Sequence, residues 1–99
     1  MPRGYFFGEF EITDPAAYEA YHTEVPNIIS AHKGRILVRG GDPLPFDGTI
    51  PQRRFVIVEF DNPEAARTFY YSDAYQAVLP SRLNASTGNG FACLLTGVE

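Results

Sequence analysis

One local pattern occurs twice in this chain, and that repeat constrains the fold more than any other feature. Glu9-Phe10-Glu11-Ile12-Thr13-Asp14-Pro15-Ala16-Ala17 runs an extended apolar segment into an Asp, a proline and two alanines. Ile57-Val58-Glu59-Phe60-Asp61-Asn62-Pro63-Glu64-Ala65 repeats that order. In each copy an Asp or Asn offers its side-chain oxygen to the free N–H groups of a helix start. A proline then takes the first helical position, where its missing N–H is no loss. Two such strand-to-helix units within 99 residues predict one domain, 1–99, with internal pseudo-symmetry.

The remaining segments fall around these units. Residues 3–12 read as a first strand. The helix begun by Asp14 carries Tyr18, Tyr21, Val25, Ile28 and His32 at spacings of three and four, a single buried stripe. Pro26 within it is expected to kink or break it, and Gly34 to end it. A second strand begins at Ile36-Leu37-Val38 and closes at Gly40-Gly41. Residues 42–52, with three prolines and a glycine, form a loop. Residues 53–60 are a third strand. The helix opened by Asn62-Pro63 is expected to break near Ser72, a fresh cap, and to restart at Asp73, with a further irregularity at Pro80. Gly88-Asn89-Gly90 is a turn, and Phe91 to Gly97 the last strand. The order β-α-β-β-α-β predicts an α+β, ferredoxin-like domain: a four-stranded antiparallel sheet with two helices on one face.

Strand alternation then sorts the sheet residues. Phe6, Gly8, Phe10 and Ile12, with Val56, Val58 and Phe60, are expected beneath the helices. The other face receives Tyr5, Phe7, Glu9 and Glu11, with Phe55, Ile57 and Glu59. A face left to water would be polar throughout, and this one is half apolar. It predicts a homodimer packed sheet to sheet; partial shielding by the 42–52 loop is the alternative. Glu11 and Glu59 hold equivalent places on that face and call for partners among Arg35, Arg53 and Arg54.

Composition narrows the function classes. Hydrophobic residues at 44% and charged residues at 20% describe a globular chain. A net charge of −4, with no basic run longer than Arg53-Arg54, argues against nucleic acid as the partner. Cys93 stands alone, so no internal disulfide is expected. No signal segment or membrane-length apolar run occurs, and cytoplasmic residence without a membrane partner follows as the expectation. There is no HExxH and no cysteine pair, so no metal and no cofactor are expected.

Several quoted stretches carry a family resemblance. Thr13-Asp14-Pro15 with Tyr18 and Tyr21, Gly34-Arg35-Ile36-Leu37-Val38-Arg39-Gly40-Gly41, and Arg54-Phe55-Val56-Ile57-Val58-Glu59-Phe60 resemble the family known as domain of unknown function 1330. So does the later run containing Ala65-Ala66, Tyr70, Ser72, Tyr75-Gln76, Leu79-Pro80, Arg82 and Ser86. The resemblance spans nearly the whole chain and implies the dimeric α/β-barrel superfamily. Relatives there include cofactor-free monooxygenases of aromatic polyketides, haem-degrading enzymes and muconolactone isomerases, with pockets between sheet and helices. Fold kinship alone does not carry chemistry across.

Seven residues stand out as site candidates. Tyr75 and Arg82 are two helical turns apart and Ser86 one turn further, so a phenol, a guanidinium and a hydroxyl share a face. Turned inward, they would anchor an anionic or polarised molecule; the structural alternative is a network in which Arg82 bonds carbonyls. Arg39 beside Gly40-Gly41 could hold a carboxylate or phenolate, or simply pair with a surface acid. His22 could move protons near neutral pH, or sit partly exposed on its helix. Tyr21 and Tyr70, within an unusual density of helix aromatics, line an aromatic cavity or fill core. Catalytic roles are thus assigned to His22, Arg82 and Tyr75, and substrate binding to Arg39, Tyr21, Tyr70 and Ser86. A terminal-proline base at Pro2, exposed by loss of Met1, is a remoter possibility, because Arg3-Gly4 separate it from the first strand. The functional expectation is a small molecule bound or transformed without metal between sheet and helices, the alternative a non-catalytic binding, structural or stress-associated dimer.

Overall fold

A computed structural model describes residues 2–50 and 53–99. Met1 and the last two residues assigned to the loop, 51 and 52, lie outside that range. The chain runs β1 (Gly4–Phe10), α1 (Pro15–Ala31), β2 (Arg35–Gly40), β3 (Arg54–Phe60), α2 (Pro63–Tyr70), α3 (Asp73–Ala85) and β4 (Phe91–Thr96). The strands form one antiparallel sheet in the order β2-β3-β1-β4. Phe6, Phe10, Val58 and Phe60 of the sheet meet Tyr18, Tyr21, Ile29, Phe69 and Tyr75 of the helices in a single core. This is a ferredoxin-like α+β fold.

All three caps form. The Asp14 carboxylate accepts from the Ala17 N–H at 3.1 Å, the Asn62 amide oxygen from the Ala65 N–H at 2.8 Å, and the Ser72 hydroxyl from the Tyr75 N–H at 3.2 Å. Ser72 therefore does divide the second helical segment into α2 and α3. The first strand is shorter than 3–12: it stops at Phe10, and Ile12 makes only an isolated bridge to Ser86.

Pro26 does not break α1, which is continuous from Pro15 to Ala31. In a helix the carbonyl of residue 22 would accept the N–H of residue 26, and proline has none. Arg39, reaching over from β2, supplies the missing donor: its Nη2 bonds the His22 carbonyl at 2.6 Å. Helix α3 likewise runs through Pro80. The end of α1 also differs from expectation. His32 is its C-cap rather than a member of the buried stripe, and Ile29 takes that place; the left-handed residue is Lys33, at φ 59°. Gly34 is needed for space instead. A Cβ there would stand 2.7 Å from the Phe60 ring and 2.8 Å from the Ile29 side chain.

Burial alternates along β1, and register places Phe7, Phe55, Ile57, Phe91 and Leu95 together on the face away from the helices. The Phe7 ring lies 5.6 Å from Phe91 and 6.5 Å from Phe55. Ion pairs rim this apolar centre. Glu59 meets Arg35 at 2.9 Å and the Tyr5 hydroxyl at 3.0 Å, and Arg53 meets Glu9 at 2.7 Å. The Arg35 bond, then the Tyr5 bond, hold the Glu59 carboxyl below its ordinary pKa. Glu11 does not match Glu59. It lies past the end of β1 and is among the residues lining a cleft with Arg54. Residues 42–50 do not shield the open face: Leu44 and Phe46 are 78% and 99% exposed.

Candidate functional site

The inward face of α3 builds a buried polar cluster. Tyr75 is fully buried and Arg82 only 5% exposed. Arg82 Nη1 donates to the Tyr75 hydroxyl at 3.0 Å and to the Tyr21 hydroxyl, from α1, at 3.4 Å. The two hydroxyls share a hydrogen bond of 2.7 Å. The guanidinium carbon lies 4.2 Å from the Phe10 ring centroid and 5.5 Å from that of Tyr21. Among the described residues no carboxylate forms an ion pair with Arg82. Burial pushes the pKa of both phenols up, far up for Tyr75, so neither is a counter-ion at neutral pH. Arg82 is thus a cation held in the core by neutral hydroxyls and ring faces. Taking such a group from water costs several kcal/mol, which a bound anion would offset directly.

Tyr70 joins the cluster through its ring, 5.1 Å from Tyr75 and stacked at 6.4 Å on Phe6. Three candidates lie apart from it. The Ser86 hydroxyl donates to the Arg82 backbone carbonyl at 2.7 Å and so closes the end of α3 rather than joining the guanidinium. Arg39 binds the His22 carbonyl, not a surface acid. His22 sits beyond Tyr18, 5.9 Å from its ring. Partial burial, then Arg39, then Arg54, push the His22 pKa below 6.5, so its imidazole is neutral at pH 7 and able to accept a proton.

Three spaces adjoin Tyr21, Tyr70 and His22, and Arg82 and Tyr75 line none of the three. One of about 30 Å³, room for a single water, lies beside Tyr21, His22 and Arg39. One of about 400 Å³ opens between α2 and β4 against Tyr70, Tyr71, Arg67 and Leu94. The third, of about 330 Å³, lies between α1 and the ends of β1 and β3, lined by Glu11, Tyr18, His22 and Arg54. Sequence reasoning treated Arg54 only as a partner for an acid. Alternation backwards from Val58 and Val56 puts Arg54 on the helix side, and that signal would have found it. Among the described residues no group of three or more His, Cys, Asp or Glu side chains is placed to hold a metal ion.

Sheet order, helix placement and the aromatic polar interior define a small α+β protein of the ferredoxin-like class. Residues 3–95 match the family described as Domain of unknown function (DUF1330), and the chain belongs to that family. No functionally curated protein matches it. Its fold is similar to that of a protein of unknown function from Rhodopseudomonas palustris, at 17% identity over 99% of this chain and 84% of that one, TM-score 0.72. It is also similar to a protein from Caulobacter crescentus provisionally described as an antibiotic biosynthesis monooxygenase, at 16% identity over 99% and 92%, TM-score 0.67. A dimeric ferredoxin-like protein of unknown function from Jannaschia shares 11% identity over 94% and 97%, TM-score 0.62. At these identities the likeness is one of fold. No helix of the described residues is long and apolar enough to cross a membrane.

Proposed function

We propose that this chain is a cytoplasmic homodimer, an α/β barrel closed through the open sheet faces, that binds or transforms a small anionic or aromatic organic molecule between sheet and helices. The observation that carries the reading is Arg82: a core guanidinium with no ion-pair partner among the described residues, hydrogen-bonded to two neutral phenols. Arg82 anchors the ligand's negative or polarised oxygen, Tyr75 and Tyr21 orient it, and Tyr70 packs its body. If the site turns a substrate over, neutral His22 is the proton acceptor. Arg39 acts on His22 by holding its carbonyl, and Ser86 acts on Arg82 by closing its helix. That some fold neighbours are dimeric and two are provisionally described as monooxygenases agrees with this reading.

A second reading, a binding or structural, stress-associated dimer without turnover, is favoured by the tightness of the interior beside Tyr21, where about 30 Å³ is free. Differential scanning fluorimetry against a panel of aryl carboxylates and phenols, with product analysis, tests both. Stabilisation of wild type but not of Arg82→Met supports a ligand on Arg82, and turnover then separates enzyme from binder. No stabilisation by any of them removes the first reading. Ultracentrifugation tests the dimer: a particle of 11.0 kDa, rather than twice that, overturns it.

A further inference from the structure

The cleft between α1 and the ends of β1 and β3 holds charged groups that satisfy nothing in the fold. Arg54 is the centre of it. Among the described residues it makes no ion pair and no side-chain hydrogen bond, and its Nε is buried without an acceptor. The Arg53 Nε is buried in the same way, so what a ligand could use is the pair of terminal nitrogens of Arg54, which are left without an acceptor among the described residues. The guanidinium carbon lies 5.8 Å from the Tyr18 ring centroid, and Nη1 lies close to the Gly40 backbone. A planar fork with free donors is the geometry that takes a carboxylate on both oxygens.

The rest of the cleft limits what that anion can be. Phe10 and Tyr18 give it an aromatic floor. Glu11 lines the same space and, among the described residues, its carboxylate pairs with no cation. A second full negative charge on the ligand would face that carboxylate; a hydroxyl or amino group would donate to it. His22, neutral, stands on the helix side as a further acceptor or donor. With about 330 Å³ available, the cleft suits one substituted ring.

We propose that this cleft is a binding site for an aromatic monocarboxylate bearing a hydroxyl or amino donor, with Arg54 holding the carboxylate and Glu11 the donor. It deepens the reading above, in that it rests on this family handling a small organic anion and shares His22 with it, but its two anchors, Arg54 and Glu11, are residues that reading does not use. Calorimetric titration of the whole protein with benzoate, 3- and 4-hydroxybenzoate and inorganic phosphate tests it, with the arginine Nε–H resonances followed by NMR. Wild type should bind at least one hydroxybenzoate severalfold more tightly than benzoate and should bind phosphate least. Arg54→Gln should weaken binding about tenfold or more, the loss of a charged hydrogen-bond pair, and Arg54→Lys, which keeps the charge and the packing on Tyr18, by less. Glu11→Gln should tighten benzoate and reduce the hydroxyl preference, because the amide oxygen still accepts but without the charge. Binding that survives Arg54→Gln but is lost in Arg82→Met overturns this site while keeping a ligand on the core cluster. Absence of any hydroxybenzoate binding at about 10 mM, weaker than about 3 kcal/mol, overturns it outright.

Discussion

Replacing Arg82 with methionine separates a guanidinium kept for a ligand from one kept for the fold. The side chain is 5% exposed, so its removal returns a desolvation cost of several kcal/mol. Against that, the variant forfeits two hydrogen bonds from a charged donor, to Tyr75 at 3.0 Å and more weakly to Tyr21 at 3.4 Å, about 1.5–3 kcal/mol for a good one. It also loses a desolvated contact with the Phe10 ring at 4.2 Å, about 2 kcal/mol. Methionine restores about 1.5–3 kcal/mol by burying an apolar chain of similar length. The two phenols keep their own 2.7 Å bond, so neither is stranded. These terms nearly cancel, and the expected change is within about 1 kcal/mol of zero, with stabilisation as acceptable as loss. For a chain this size that is a shift of no more than about 4–8 °C in Tm. Urea unfolding at fixed protein concentration measures it, the concentration being held because association shifts apparent stability. A loss of about 3 kcal/mol or more refutes the reasoning and makes Arg82 a structural keystone.

Three further outcomes are expected. Arg39→Met should cost about 0.5–1 kcal/mol in wild type, where it removes the donor to the solvent-accessible His22 carbonyl, and less in a Pro26→Ala background that restores the helical N–H; thermal unfolding of all four members of the cycle measures the coupling, and additivity refutes it. Gly34→Ala should lose about 1–3 kcal/mol, because its Cβ would crowd Phe60 and Ile29 in a packed core; unchanged urea stability would refute that assignment. The His22 pKa is depressed on folding, so the unfolded imidazole takes up its proton first as pH falls through 6.5. Its contribution is therefore present above that pH and lost below it, down to the folded pKa, and His22→Gln should flatten this part of the stability-versus-pH curve.

The features readable from sequence were those set by neighbours along the chain. Asp14, Asn62 and Ser72 cap helices because the cap oxygen and the N–H that donates to it lie three residues apart, and strand alternation sorted Phe6 and Phe10 from Tyr5 and Phe7 for the same local reason. The seven-residue spacing of Tyr75 and Arg82 likewise put them on one face. What was misread depends on distant partners. Pro26 looked like a break because the donor that rescues its orphaned carbonyl comes from β2. Ser86 is four residues after Arg82, a spacing equally compatible with meeting the side chain or the carbonyl, and the carbonyl won. Gly34 was taken for a helix terminator when its small size serves Phe60. For Arg54, alternation from Val56 and Val58 gave the face, but its lack of a partner depends on which distant residues fail to approach it, and that leaves no mark in a string of residues.

The two rims of the sheet are unequal. Along β2 the pairing slips between Ile36 and Val38, pushing Leu37 out of step, and the strand ends in two glycines with φ of 91° and 67°. The outer N–H and C=O groups of that rim do not form an even ladder, so an incoming strand finds no continuous template. Along β4 the register with β1 is unbroken from Phe91 to Thr96, leaving the opposite rim even. Polymerisation through backbone pairing needs two serviceable rims per molecule, one to receive and one to give. The slip makes the β2 rim the poorer template, so rim-to-rim joining favours β4 against β4, which gives a pair rather than a fibre.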